Sequence, residues 1–151
     1  MKNLLLDSIQ SVLLRDLNKL ESELLLYPTE ASLWKIDKDI KNSAGNLCLH
    51  LCGNLQHYVG AVLGKTEYVR NRDLEFSAKN ISRENLLKEV LQSKKAIEHT
   101  IPTLTETALQ TDYPVDVFGK PMKTLFFLIH LTAHLSYHLG QVNYHRRLVS
   151  R

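Results

Sequence analysis

Apolar residues stand at Leu6, Ile9, Leu13, Leu17, Leu20 and Leu24, three or four positions apart, and this spacing draws a single stripe along a helix of roughly 25 residues. Pro28 ends that helix, since proline has no amide to continue the ladder. Thr29 to Asn42 carries Trp34 and charged residues without a clean period and reads as a connection, with Trp34 folded back as a lid on the bundle. Asn42 or Ser43 can cap a second helix through Leu47, His50, Leu51, Asn54, Leu55, Tyr58 and Val62, with Gly64 as its stop. Residues 65–81 are polar and read as a loop centred on Arg70-Asn71-Arg72-Asp73. Ser82 caps a third helix whose apolar positions Leu86, Leu87, Val90, Leu91 and Ile97 lead to Pro102, where it kinks or restarts. Tyr113 to Pro121 is dense in turn residues and predicts an irregular crossing or short hairpin, before a fourth helix from about Met122 to Val149. The expectation is one all-α domain over residues 1–151 with four helices, one long polar connection and one Pro/Gly connection.

A chain of 151 residues is long enough to bury a core without disulfides. Its 19 Lys and Arg against 16 Asp and Glu leave a formal charge of only +3, and the positive residues are scattered, which argues against a nucleic-acid partner. The one basic cluster, His145-Arg146-Arg147, reads as cations at the negative end of a helix dipole. Asp7, Arg15 and Asp16 interrupt any leader-like apolar run after Met1-Lys2, and no stretch has the length of a membrane span, so a cytoplasmic protein is expected. Cys48 and Cys52, four apart on a helix, lie too far from each other for disulfide geometry and read as buried thiols.

Four of the seven histidines fall on the last helix, at His130, His134, His138 and His145. His134 and His138 point within roughly 40° of each other, in the directions of Phe127, Leu131 and Val142, and so look inward. Two neutral imidazoles at i and i+4 can bind one metal ion from one helix face. Buried in an apolar setting they need partners, and the sequence offers few nearby carboxylates. His50 on the second helix is the third candidate ligand. Cys48 and Cys52 each lie about 160° from it, so a mixed Cys/His zinc site fails on geometry. Asn54, His57 or His130 remain candidates to fix imidazole tautomers. The other flank of the last helix carries Thr132, Ala133, Ser136 and Gly140, small residues expected to form a homodimer interface or a tight intramolecular seam.

His134-x-x-x-His138-Leu139-Gly140-Gln141, the early His50 in Asn46-Leu-Cys-Leu-His50-Leu-x-Gly-Asn54, and the intervening Arg72-Asp73-Leu-Glu75-Phe76 together resemble the DinB-like superfamily. The resemblance spans nearly the whole chain and rests on the joint order of short motifs. It implies a four-helix up-down-down-up bundle of the DinB/YfiT kind, often dimeric, with a three-histidine metal site that falls on His50, His134 and His138. Some members of that superfamily are thiol-dependent S-transferases or isomerases using bacillithiol or mycothiol, which makes bacillithiol a candidate co-substrate here.

Three protein nitrogens leave coordination open, the arrangement of a catalytic metal, which lowers the pKa of a bound water or thiol. No Glu follows His134 as in zinc proteases, so a general base must come from elsewhere; Tyr137, Tyr144, Asn54 and His57 are candidates by sequence proximity alone. Histidine ligands suit zinc, nickel, iron and copper alike. Two expectations compete: a divalent-metal-dependent transferase or hydrolase acting on a small molecule, and a non-catalytic bundle whose metal staples two helices for dimerisation or partner binding.

Overall fold

Asn3 opens the first helix by accepting the amides of Leu5 and Leu6 on its side chain, and α1 runs Leu4–Leu26. The computed structural model describes residues 3–151; Met1 and Lys2, at the start of the segment weighed as a leader, lie outside the described residues. All six positions of the leucine-rich stripe on α1 are buried. Each fully buried leucine contributes on the order of 1.5–3 kcal/mol.

Ser43 caps α2 (Ala44–Leu55), which runs on as a wider-wound π segment, Gln56–Leu63. Gly64 does follow its last residue, yet its backbone is right-handed; Lys65 takes the positive φ of 58°. Glycine is needed at 64 for another reason: a Cβ there would strike Thr100 Oγ1 and stand 2.7 Å from the carbonyl of Gly60. Trp34 closes a 3-10 turn, Ala31–Trp34, and packs so tightly on the start of α2 that a Cβ on Gly45 would lie 2.6 Å from its ring. Its indole N–H donates to the Ile81 carbonyl at 3.1 Å, so Trp34 does fold back on the bundle.

Residues 65–81 are not simply a loop, because Asn71 caps a six-residue helix, α3 (Arg72–Ser77). The helix lacks an apolar period and is held by polar bonds: Asn46 Nδ2 donates to the carbonyls of Glu75 and Ala78 at 2.9 and 2.8 Å. Ser82 caps α4 (Arg83–Thr100), and at Pro102 the chain makes a 3-10 turn before restarting as α5 (Glu106–Gln110). Between α5 and α6 the crossing is pinned by one antiparallel bridge, Asp112 to Lys123, and α6 runs Thr124–Val149.

The four long helices form a ring in which α1 touches α4 and α6, and α2 touches the same two. Tyr27 at the end of α1 bonds the Val142 carbonyl near the end of α6, so these two run the same way. Gln56 meets Glu89, and a Cβ on Gly64 would meet Thr100, so α2 and α4 also run together. Tyr58 packs on Phe127 while Leu47 shares a cleft with Gln141, so α2 opposes α6. Cys48 and Cys52 are free thiols, fully buried on the core face of α2. Among the described residues no helix is long and apolar enough to cross a membrane.

The reading of α6 needs one correction. Ala133, Ser136 and Gly140 are exposed and Thr132 is half-buried, and a Cβ on Gly140 would meet nothing within 4 Å, so of the two alternatives the tight intramolecular seam is absent among the described residues. Phe127, Leu131 and Val142 face the core as their direction predicts, joined by Leu128, Leu135 and Leu139. His145-Arg146-Arg147 does lie at the C-terminal end of α6, as the helix-dipole reading expects, and it makes specific contacts there as well. His145 is buried, with Nδ1 2.7 Å from the Tyr27 hydroxyl and Nε2 2.8 Å from the Lys35 carbonyl, while Arg146 pairs with Glu23.

Candidate metal centre

His134 and His138, one turn apart on α6, stand half-buried at the edge of its core-facing side, turned toward α2. From α2, buried His50 meets both rings at centroid distances of 5.0 and 5.3 Å, and the two α6 rings lie 4.6 Å apart. One nitrogen from each of the three rings falls within 4.8 Å of the other two. The trio singled out in the sequence is therefore assembled in space.

What orients the trio was not anticipated. Glu75 of α3 is buried, and its Oε1 accepts from His50 Nδ1 at 3.0 Å while Arg70 grips the carboxylate through Nε and a terminal nitrogen, both at 2.8 Å. Burial pulls the Glu75 carboxyl upward, but the hydrogen bonds from Arg70 and His50 and the charge of Arg70 outweigh it and hold the pKa below the ordinary carboxylate value. An ionised carboxylate only accepts, so the proton of neutral His50 sits on Nδ1 and its Nε2 lone pair faces the cluster. On α6, His138 Nδ1 donates to Gln141 Oε1 at 2.6 Å, which frees the Nε2 of that ring in the same way.

The residues fit a cation. His50 Nε2 lies 3.1 Å from His134 Nε2. With the His50 lone pair fixed there, the pair is satisfied either by one proton on His134 Nε2 or by a positive ion that accepts both lone pairs. Among the described residues His134 Nδ1 is buried without a hydrogen-bond partner, and so is Asn54 Oδ1 on the facing helix. If His134 Nε2 binds an ion, its proton moves to Nδ1, an atom that then has a donor to place. Of the other candidate partners, His57 packs against Tyr58 and His130 stacks between Phe127 and His134. Tyr137 is exposed beside the His138 ring, whereas Tyr144 lies under Arg147 and lines a separate cleft with Lys41 and Leu47.

Burial, then repulsion from His138, His50, His130 and Arg70, pushes the His134 pKa from the ordinary 6.5 down to about 3. Burial also lowers His138, against the opposing hydrogen bond to Gln141. Between those two values the unfolded chain binds a proton at His134 that the folded chain refuses, so stability is lost as pH falls from about 6.5. The metal-free protein should therefore show a thermal midpoint that drops steadily from pH 7 to pH 5, above the range where carboxylates such as Glu75 and Glu23 add losses of the same sign. Replacing His134 with Asn should flatten that limb. A midpoint independent of pH in this window would contradict the buried, neutral imidazole.

A second expected result isolates Glu75. Glu75→Gln keeps the shape but loses the charge, and divalent-metal affinity should fall by roughly 10- to 100-fold, the usual cost of removing an oriented carboxylate behind a ligating histidine. Isothermal titration with zinc would read it; unchanged affinity would show that the carboxylate does not act through His50.

In sequence, residues 3–151 match the family model described as "Protein of unknown function (DUF1572)". No curated protein matches the chain. In structure, the chain is similar to a DinB-like protein from Bacillus cereus ATCC 10987, with a TM-score of 0.70 at 18% identity over 89% of this chain and 86% of that one. That likeness establishes the fold, a DinB-like helical bundle, and the match along nearly the full length places the chain in the DUF1572 family.

Proposed function

We propose that this protein holds one divalent ion, zinc, nickel or iron, between α2 and α6, with His50, His134 and His138 as ligands, and acts as a metal-dependent enzyme on a small molecule. The observation that carries the reading is the facing pair of Nε2 atoms 3.1 Å apart, one of which is fixed as a bare lone pair by Glu75. The cluster is made of three histidines among the described residues, and Glu75 is engaged behind His50, so the remaining coordination is left to small molecules. A divalent ion so held supplies Lewis acidity, which serves both transfer of a thiol such as bacillithiol and hydrolysis. The chain's own part is to fix the tautomers through Glu75 and Gln141 and to keep His134 and His138 neutral by burial.

The test is a thiol-transfer and a hydrolysis assay on electrophilic model substrates with metal-loaded and chelator-stripped protein. Turnover with bacillithiol that is lost on stripping and restored by zinc, nickel or iron is the expected result. Equal rates with and without metal would remove the enzymatic reading.

A second reading, a metal staple serving a homodimer or other partner, is favoured by one observation. Phe126, Ile129, Tyr137, Tyr144 and Leu148 form an exposed stripe along the outer side of α6, where a solvated helix would be polar. If that stripe joins two copies, Ile129→Glu converts a dimer to a monomer by light scattering. A wild-type protein that is already monomeric at high concentration would exclude it.

A further inference from the structure

Two arms of the 70–76 segment reach the ring of His50. Along the first, Arg70 binds Glu75 and Glu75 binds His50, so the charge of Arg70 is consumed inside the fold. Along the second, the Phe76 ring packs 4.9 Å from that of His50, and the guanidinium of Arg72 lies 5.3 Å above Phe76. This second arm ends in an exposed cation that has no ion-pair partner among the described residues. An exposed arginine is by default a solvated one. Here the guanidinium lies over an aromatic face, a cation–π contact that restricts an otherwise mobile side chain and leaves its N–H groups free to donate.

The charge balance points the same way. His50 is bonded to one carboxylate, Glu75, whose charge Arg70 already balances, Arg72 stands beyond Phe76 as a further cation, and the ligand imidazoles add no negative charge. A divalent ion among those imidazoles makes the mouth strongly positive, and such a mouth selects and concentrates anions.

We propose that Arg72 is the substrate-anchoring residue of this site, binding the carboxylate of an anionic small-molecule substrate whose reacting group lies at the three histidines. The inference rests on the metal reading above and specifies its substrate class: a carboxylate matches the planar fork of a guanidinium with two parallel hydrogen bonds.

The test uses the protein loaded with cobalt(II) in place of its native ion, which gives a near-ultraviolet absorption when a thiolate binds the metal. Titration with 3-mercaptopropionate and with 2-mercaptoethanol compares two thiols that differ in a carboxylate. The preference for the carboxylate thiol should be about tenfold greater in wild type than in Arg72→Gln, should shrink with added salt, and should leave 2-mercaptoethanol binding within about twofold of wild type. Arg72 is exposed, so the substitution leaves the core untouched. An equal preference in the two proteins overturns the Arg72 assignment while the metal reading stands. No thiolate band with either thiol overturns the open-site metal reading, and the present inference with it.

Discussion

Replacing His138 with Ala is expected to weaken divalent-metal binding by about a few hundredfold, the order set by withdrawing one of three ligands from a site worth roughly 10 kcal/mol in all. His138 stands half-buried on the outer side of the trio, and its side chain makes one polar bond, to Gln141. The variant should therefore fold: the core-facing residues on either side of it, Leu135 and Leu139, are untouched, and circular dichroism should keep its helical signal. Removal of a half-buried ring with a depressed pKa should even relieve some repulsion on His134. The signature is thus a protein with near-normal metal-free stability that no longer gains stability from zinc. Wild type, saturated a hundredfold above its dissociation constant, should gain about 2.7 kcal/mol. A His138→Ala protein that is stabilised by zinc as strongly as wild type would show that the ion, if any, sits elsewhere.

Gly53→Ala should have the second largest effect, and its sign is the diagnostic. In a helix interior, alanine in place of glycine ordinarily stabilises by about 1 kcal/mol. Here a Cβ would collide with Glu75 Oε2 and stand 2.8 Å from the Glu75 carboxyl carbon. A free glutamate would swing away at little cost, but this carboxylate is tied to Arg70 and His50. Moving it breaks the pair and leaves a buried guanidinium without its anion, a loss of about 3–5 kcal/mol when one partner of a buried pair is withdrawn. The same movement releases the His50 tautomer, so metal affinity should fall together with stability. Urea denaturation and zinc titration of the one variant read both. A stabilised Gly53→Ala protein with normal affinity would mean that α3 does not press on α2 as described.

The contrast between these two residues shows what the sequence makes legible. His134 and His138 are one helical turn apart, so local geometry alone places them on one side, and His50 is carried to them by a helix buried nearly all round, whose existence is readable from its apolar residues and its Ser43 cap. Glu75 is twenty-five residues from His50 in a segment with no apolar period, and nothing local says that residues 72–77 form a helix or where it docks. Its position is set by long-range bonds, from Asn46 to the α3 carbonyls and from Arg70 to the carboxylate. Gly53 was the available signal: a glycine inside a helix is unfavourable unless something must approach closely, and the carboxylate of Glu75 does.

The other misreading has a different cause. On α6 apolar residues occur nearly all round, since Phe126, Ile129, Tyr137 and Tyr144 are exposed while Phe127, Leu131 and Leu135 are buried, yet the direction shared by Phe127, Leu131 and Val142 does mark the side that faces in. Small residues at Ala133 and Gly140 allow close approach of a helix from a second copy or from within the chain, and within the chain the core takes Phe127, Leu128, Leu131 and Leu135 and leaves the small residues outside. On α1, by contrast, a polar outer side left one stripe, and all six of its residues are buried.

The most direct measurement is X-ray absorption on protein purified without added metal, combined with elemental analysis. The account calls for one divalent ion per chain, bound by three imidazole nitrogens at about 2.0–2.1 Å with non-protein donors completing the shell, and for an imidazole count that drops by one in His50→Ala. A protein that carries no metal and takes up none from a zinc solution, or an ion bound by cysteine sulfur, would contradict it.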